Sequence, residues 1–295
     1  MVSIKKENWM GGAESSPLLK EVIAAAEKLP PFPEVVSKVM PLIQKMAPLS
    51  QIEAVIKYDQ AIAAKILAAS QSPLYARKHS GASLKEAITA LGEQQLLAVI
   101  MTACSSRYFT ADTTGYDLRE GELWEHAVAS ALMSEIVCRH LGREDTFTAY
   151  TAGLLHDIGK TVLHHFVKTS FDTILCLVQE KKMRFLEAER QVLGIDHQQL
   201  GVLIARRWAL PAEVLVAIRY HHNPLKAKEH QGLAALIYVA NRMVSALGIG
   251  CGVDGLMQPN EDEVFVKLGI TSRMVEKFLM ELLVAFREAK EFLAA

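Results

Sequence analysis

A histidine and an aspartate stand side by side in an otherwise apolar segment, AGLLHDIGK, at residues 152–160. The imidazole of His156 and the carboxylate of Asp157 are both ligands for divalent metal ions. An aspartate can also bridge two ions, one on each oxygen. Lys160 follows four residues after His156, where its charge could meet a phosphate bound to the metal. The segment therefore predicts either a metal site built into a core or a buried pair without chemistry.

Further histidines lie in separate segments of the second half of the chain. They are His126 in WEHAV, His197 in GIDHQQLG, and the pair His221 and His222 in RYHHNP. We expect each segment to form a different helix, and the helices of a bundle can direct such residues at one point. Glu122 shares a helical face with His126, four residues later, and is a further candidate ligand. The pattern predicts one histidine-rich cation site in a helical core.

The clustered histidines also have a structural interpretation, in which neutral imidazoles hydrogen-bond to their neighbours and hold no metal. That interpretation needs paired nitrogens, because an unpaired buried polar group costs about 1–3 kcal/mol. The remaining histidines have simpler roles. We interpret His79, His140 and His230 as surface or capping residues, and His164 and His165 as structural or surface residues.

Composition favours a packed, cytoplasmic protein. Hydrophobic residues make up 51% of the 295 residues and charged residues 22%, which suits a large soluble core. The net charge is −1 and the basic residues are dispersed, so we predict no nucleic-acid partner. The four cysteines form no C-x-x-C pair and are expected to be reduced. No apolar run approaches the ~20 residues of a membrane span, so we predict no membrane partner.

The apolar periodicity predicts an all-α fold, a multi-helix bundle with an N-terminal helical subdomain. Asp59 is expected to cap the helix of DQAIAAKILAAS. Ser83 with Glu86 forms a capping-box pattern, and Ser50 with Glu53 forms another.

Glycine, proline and apolar runs divide the chain into parts. The prolines of LPPFPEVV precede a helix that should begin near Glu34. Gly92 should close a helix, and the apolar stretch 93–109 predicts a central buried helix. A loop is expected at 248–262, and the last helix should begin near Ser272. We predict a flexible leader at 1–16, a helical subdomain at 17–110, a metal-site subdomain at 117–246, and a C-terminal loop with helices at 247–295.

Three motifs in this order resemble the HDOD family, the signalling-output branch of the HD superfamily of metal-dependent phosphohydrolases. They are LPPFPEVVSKVMPLI, IKYDQAIAAKILAASQSPLYARKHSGASLKEAITALG and GLLHDIGK, and the resemblance covers about residues 18–245. It implies an all-α fold with an N-terminal helical subdomain and an HD-like helical subdomain.

The resemblance also implies ligand roles. HD enzymes hold metal on a histidine, an adjacent His-Asp pair and a later aspartate, and His126, His156 and Asp157 match the first three. The position of the later aspartate is occupied by Asn241. An asparagine oxygen is a neutral and weaker ligand, and it supplies no base.

The related HD-GYP branch, which hydrolyses cyclic di-GMP at a site of two or three metals, has further histidines that His197, His221 and His222 resemble. Glu122 resembles the glutamate that supplies a third metal in some members. The GYP signature after the His-His pair is absent, since the chain reads HHNPLKAKEH. We expect two divalent ions, with iron or manganese favoured by the resemblance and zinc, nickel or magnesium as alternatives.

Two functions follow from the resemblance. The first is a bacterial signalling domain whose metal site is structural or ligand-sensing, acting on a signalling protein partner or a phosphorylated small-molecule ligand. The second is a metal-dependent phosphohydrolase acting on a cyclic dinucleotide, a nucleotide or another phosphoester. In that case Asp157 would bridge the metals and Lys160 would neutralise phosphate charge. The substitution Asn241→Asp separates the two, because it restores turnover only if the missing carboxylate blocks catalysis.

Overall fold

The computed structural model describes residues 17–45, 47–72, 74, 83–109, 114–143, 145–256 and 262–294. These residues form helices and no strand, which confirms the predicted all-α fold. The predicted leader at 1–16 and His79 lie outside the described residues. The helices are α1 Pro17–Glu27, α2 Glu34–Gln44, α3 Leu49–Ile56, α4 Gln60–Gln71, α5 Leu84–Ser105, α6 Glu122–His140, α7 Thr146–Leu155, α8 Lys160–Thr169, α9 Phe171–Glu180, α10 Phe185–Leu193, α11 His197–Arg207, α12 Ala212–Tyr220, α13 Gln231–Ala246, α14 Val253–Leu256, α15 Asp262–Lys267 and α16 Ser272–Ala294.

Two predicted helix starts are confirmed by their hydrogen bonds. The Asp59 carboxylate accepts from the backbone N–H of Ile62 at 3.1 Å, so it caps α4. The Ser83 hydroxyl accepts from the N–H of Glu86 at 3.2 Å, and the Glu86 carboxylate accepts from the N–H of Ser83 at 3.3 Å. This reciprocal pair is the predicted capping box, and it satisfies two N–H groups that have no partner inside α5.

Two other local predictions were wrong. Ser50 does not cap a helix, because it lies inside α3, which begins at Leu49, directly after Pro48. The ring of Pro48 holds φ at −53°, which lets the helix start without a side-chain cap. The segment 248–262 is not only a loop, because it contains the single-turn helix α14. A turn this short has little intrinsic stability, so its contacts with the core must hold it.

The central apolar helix, α5, packs against α4 and α7. It is interrupted at Gly92, whose φ of 73° ends the first helical run at the predicted residue. By length and composition, Leu84–Tyr108 is the one described segment that could cross a membrane, although the sequence analysis found none. Its most apolar window is 61% buried within the protein, so packing in the core accounts for this composition.

In the second half, α6 packs against α7, α13 and α16. The approach of α7 is close, because a Cβ at Gly153 would lie 2.7 Å from the carbonyl oxygen of Ser130 on α6. This packing places the turn after α7 beside α6. The buried apolar residues of both halves form one cluster, which includes Ile100 and Ile237. The subdomain boundaries within it stay predictions.

Candidate metal centre

The predicted ligands lie mainly at helix ends. His156 and Asp157 occupy the turn between α7 and α8. His197 is the first residue of α11, and His221 and His222 directly follow α12. A chain that turns at a helix end can present adjacent side chains to one point, which a continuous helix would spread around its axis.

Asp157 lies between two groups of imidazoles. Its Oδ2 is 3.3 Å from His156 Nε2 and 3.9 Å from His126 Nε2. Its Oδ1 is 3.4 Å from His221 Nε2 and 3.6 Å from His197 Nε2. Within each group, one ligand atom from every member lies within 4.8 Å of the others. We define half-site A as His126, His156 and Asp157, and half-site B as Asp157, His197, His221 and His222.

Backbone carbonyl groups determine which nitrogen of three imidazoles faces the centre. Each Nδ1 lies 2.7–2.9 Å from a carbonyl oxygen: His126 from that of Ile249, His156 from that of Gly153, and His221 from that of Ile218. A carbonyl oxygen only accepts, so Nδ1 carries the proton when the ring is neutral. The Nε2 lone pairs are therefore left for a metal ion.

Several buried atoms at the centre have no hydrogen-bond partner among the described residues. They are Nε2 of His156, Nε2 of His221 and Oδ1 of Asp157. Unpaired, such atoms cost about 1–3 kcal/mol each, whereas lone pairs that converge on one point suit a cation. The donor set therefore fits a divalent metal, and the unpaired atoms count against a fully hydrogen-bonded cluster without metal.

Asn241 lies on α13 at the edge of half-site A, with its Oδ1 3.0 Å from His126 Nε2. A neutral imidazole has one N–H, and the carbonyl of Ile249 receives it. The Nε2 lone pair then faces an amide oxygen. A cation between the two atoms would satisfy both, as would an amide turned to donate its NH₂ to the ring. The structure thus brings Asn241 to the predicted site.

Burial keeps most of these imidazoles neutral. It lowers the pKa of His126 and of His221 to about 4, and it lowers the pKa of His222 well below its usual value. Neutral imidazole is the form that binds metal. Burial opposes ionisation of Asp157, but His156 and the Lys160 ammonium hold the pKa of this carboxyl well below its usual value.

A buried carboxylate that the sequence analysis missed holds His197. The Oε2 of Glu189 accepts from the His197 Nδ1–H at 2.8 Å, and its Oε1 accepts from the Tyr116 hydroxyl at 2.6 Å. Burial works to lower the pKa of His197, but the charge of Glu189 and its hydrogen bond raise it above the usual value. Glu189 lies in an ordinary amphipathic helix, so no sequence signal distinguishes it from a surface glutamate.

Lys160 lies between two buried carboxylates. Its Nζ is 2.7 Å from Asp157 Oδ2 and 2.7 Å from Asp254 Oδ2. Burial works to lower the pKa of Lys160, but these two carboxylates raise it above its usual value, so the lysine stays charged. Asp254 belongs to α14, in the segment predicted as a loop, and the sequence analysis missed it.

The structure does not bring Glu122 into either half-site. Glu122 is the first residue of α6, and its Oε2 accepts from the backbone N–H of Arg119 at 2.8 Å. This bond to the segment before α6 occupies one of its oxygens, and its ligand role stays a prediction. His140 pairs with Glu281 at 2.7 Å, and His230 is exposed directly before α13, both away from the centre.

Comparisons with known proteins agree with this fold. A family model described as the HDOD domain matches residues 29–224. An HDOD domain protein of unknown function from Geobacter sulfurreducens has a TM-score of 0.73 and 24% identity, covering 92% of this chain and 95% of that one. A candidate signal transduction protein from Marinobacter aquaeolei has a TM-score of 0.71 and 20% identity, covering 99% and 68%. At these identities the likeness concerns the fold alone.

One sequence relative is longer than this chain. An uncharacterized protein from Treponema pallidum is 23% identical over 243 residues, which are 77% of this chain. The match covers 45% of the relative, so the chain spans less than half of that protein's length.

Proposed function

We propose that this chain, which belongs to the HDOD family, is a regulatory domain built around a divalent-cation site. Half-sites A and B would hold one ion each and share Asp157, with iron or manganese favoured and zinc, nickel or magnesium as alternatives. One observation carries the proposal. The lone pairs of His156 and His221 and an oxygen of Asp157 converge, buried and without hydrogen-bond partners among the described residues.

The enclosure of the centre favours regulation over turnover. Every ligand of the two half-sites except His222 is at most 3% exposed. A phosphodiester would have to reach atoms that the helices cover. An ion held there would instead connect α6, the turn after α7, α11 and α12. Because a ligand that binds only the folded state stabilises it, occupancy would change the stability of this bundle. A signalling protein could respond to that change.

A metal-dependent phosphohydrolase is the second candidate, and the position of Lys160 favours it. The ammonium lies 2.7 Å from Asp157, close enough to meet a phosphate oxygen brought to the same ions. Two bound ions would supply an activated water and a clamp for the phosphoryl oxygens. The chain itself offers Lys160 as a positive charge, and Asn241 supplies no carboxylate base. The substrate would be a cyclic dinucleotide, a nucleotide or another phosphoester.

The test is elemental analysis of protein purified without a histidine tag and without added metal. We expect about two equivalents of a divalent metal in the wild type, and clear losses in His156→Ala and in His221→Ala. The surface variant His230→Asn is the matched control and should keep its metal. A wild-type protein without metal above background would overturn the cation site.

A second measurement separates the two candidates. The metal-loaded protein is incubated with cyclic di-GMP and with bis(p-nitrophenyl) phosphate. The regulatory proposal expects no turnover of either compound. Turnover that disappears in Asp157→Ala would replace it with the hydrolase.

A further inference from the structure

The segment that follows α13 reaches half-site A at two points, although it lies beyond the matched family region 29–224. The carbonyl oxygen of Ile249 accepts from His126 Nδ1 at 2.9 Å. The Oδ2 of Asp254 lies 2.7 Å from Lys160 Nζ. Asp254 is 4% exposed, and its Oδ1 has no hydrogen-bond partner among the described residues. Burying a carboxylate is costly unless an opposite charge compensates for it, and the charge that Asp254 faces is the Lys160 ammonium.

The two half-sites differ in how they share Asp157. The Lys160 ammonium lies against Oδ2, the oxygen nearest His156 and His126. The other oxygen, nearest His221 and His197, has no hydrogen-bond partner among the described residues. Lys160 therefore competes with a cation in half-site A more directly than in half-site B.

A balance of formal charges follows from these contacts. Asp157 carries −1 and Lys160 carries +1, so the two cancel, and Asn241 adds no charge. Among these four side chains, Asp254 is the one that makes the sum of charges negative. Tyr116 also faces the ammonium, with its ring 5.4 Å away, and adds no formal charge while its hydroxyl is protonated.

We infer that Asp254 is a charge-balancing, positioning residue of half-site A. It holds the Lys160 ammonium between two carboxylates and offsets its charge, so that Asp157 can still attract a cation. It thereby supplies the negative charge that Asn241 lacks. This inference rests on the proposed cation site, and it assigns a role to a residue outside the matched family region.

The test is a titration of chelator-stripped, tag-free protein with Mn²⁺. The concentration of free Mn²⁺ is measured at each point by electron paramagnetic resonance. Asp254→Asn should weaken the binding of one of two Mn²⁺ ions by about 10- to 100-fold, the usual range for an outer partner of a metal ligand. Lys160→Met with Asp254→Asn should recover most of the wild-type affinity, because the charge to be offset is gone. In a His126→Ala background, which disables half-site A, Asp254→Asn should have no effect.

The double variant also controls for folding, because it carries the same substitution at position 254 as the single variant. Recovery of affinity would show that Asp254→Asn did not act by unfolding α14. If the double variant binds Mn²⁺ as weakly as Asp254→Asn does, Asp254 acts independently of Lys160, and the inference is wrong. Normal Mn²⁺ binding by Asp254→Asn would also overturn it. A wild type that binds no Mn²⁺ would instead overturn the proposed function itself.

Discussion

Glu189 and His197 are joined by two hydrogen bonds. The Oε2 of Glu189 accepts from the Nδ1–H of His197 at 2.8 Å and from its backbone N–H at 3.1 Å. A carboxylate only accepts, so the proton of the neutral ring stays on Nδ1. The Nε2 atom then faces His222 Nε2 at 3.0 Å and Asp157 Oδ1 at 3.6 Å. Glu189 thus determines both the orientation and the tautomer of an imidazole in half-site B.

Glu189→Gln should therefore weaken Mn²⁺ binding by about 10- to 100-fold. Glutamine keeps the volume of the side chain but can turn its NH₂ group toward Nδ1, which favours the wrong tautomer. Titration of metal-stripped protein with Mn²⁺ measures the change. Tyr116→Phe is the matched control, because it removes only the 2.6 Å bond to Oε1, and its effect should be smaller. Unchanged affinity in Glu189→Gln would contradict this role.

The metal-free protein should lose stability as the pH falls from about 6.5 to about 4. His126 and His221 have pKa values of about 4 in the folded chain and about 6.5 in the unfolded chain, so the unfolded state binds more protons in this window. Each shift corresponds to about 3 kcal/mol once the pH is below both values. Urea unfolding in EDTA at pH 7, 5.5 and 4.5 measures the loss.

The protonation of His197 changes stability with pH in the opposite direction. Its raised pKa contributes stability that is present below the unfolded pKa and is lost as the pH rises through the folded pKa. It therefore offsets part of the loss at low pH. His221→Gln should flatten the profile, and the exposed variant His230→Asn should leave it unchanged. Equal stability of the wild type at pH 7 and pH 4.5 would be evidence against buried, neutral imidazoles.

Gly159→Ala should destabilise the fold and weaken metal binding together. A Cβ at this position would overlap the carbonyl oxygen of His197 and lie 2.8 Å from the backbone nitrogen of Gly201. Both are backbone atoms, so the turn that carries Asp157 must move away from α11. Overpacking of this kind costs about 1–3 kcal/mol or more, which thermal unfolding would detect.

Gly232→Ala is the matched control for that substitution. The nearest atom to its added Cβ is a guanidinium nitrogen of Arg143 at 3.3 Å, the end of a flexible side chain. We expect little change in melting temperature or in metal content. Equal behaviour of the two alanine variants would show that the contact between the turn and α11 is not required.

Asn241→Asp should tighten Mn²⁺ binding at half-site A by on the order of tenfold, equivalent to about 1.4 kcal/mol. The new carboxylate would lie near His126 Nε2, where the amide oxygen now lies 3.0 Å away. Asn241→Leu removes the oxygen and should weaken binding. An affinity that does not differ among the three proteins would exclude position 241 from the site. Hydrolysis of cyclic di-GMP that appears only with aspartate would show that the missing carboxylate blocks catalysis.

Much of the fold could be predicted from local sequence. The capping box of Ser83 and Glu86, the cap at Asp59 and the break at Gly92 depend on residues within one or two helical turns. Helical boundaries of this kind follow from backbone groups that need a nearby partner. The ligand types could also be predicted locally, because histidine and aspartate are unusual in apolar segments that are expected to be buried.

Only the tertiary structure decided how those residues are used. It joined Glu189 to His197, placed Asp254 against Lys160, and left Glu122 bonded to the backbone N–H of Arg119. These outcomes depend on how helices far apart in the chain pack, and hydrogen bonds between them leave no periodic signal in the sequence. By itself the sequence determined an all-α bundle with a histidine-rich centre. The packing decided which charges surround that centre. In a buried site the low dielectric strengthens the interaction with every nearby carboxylate and ammonium.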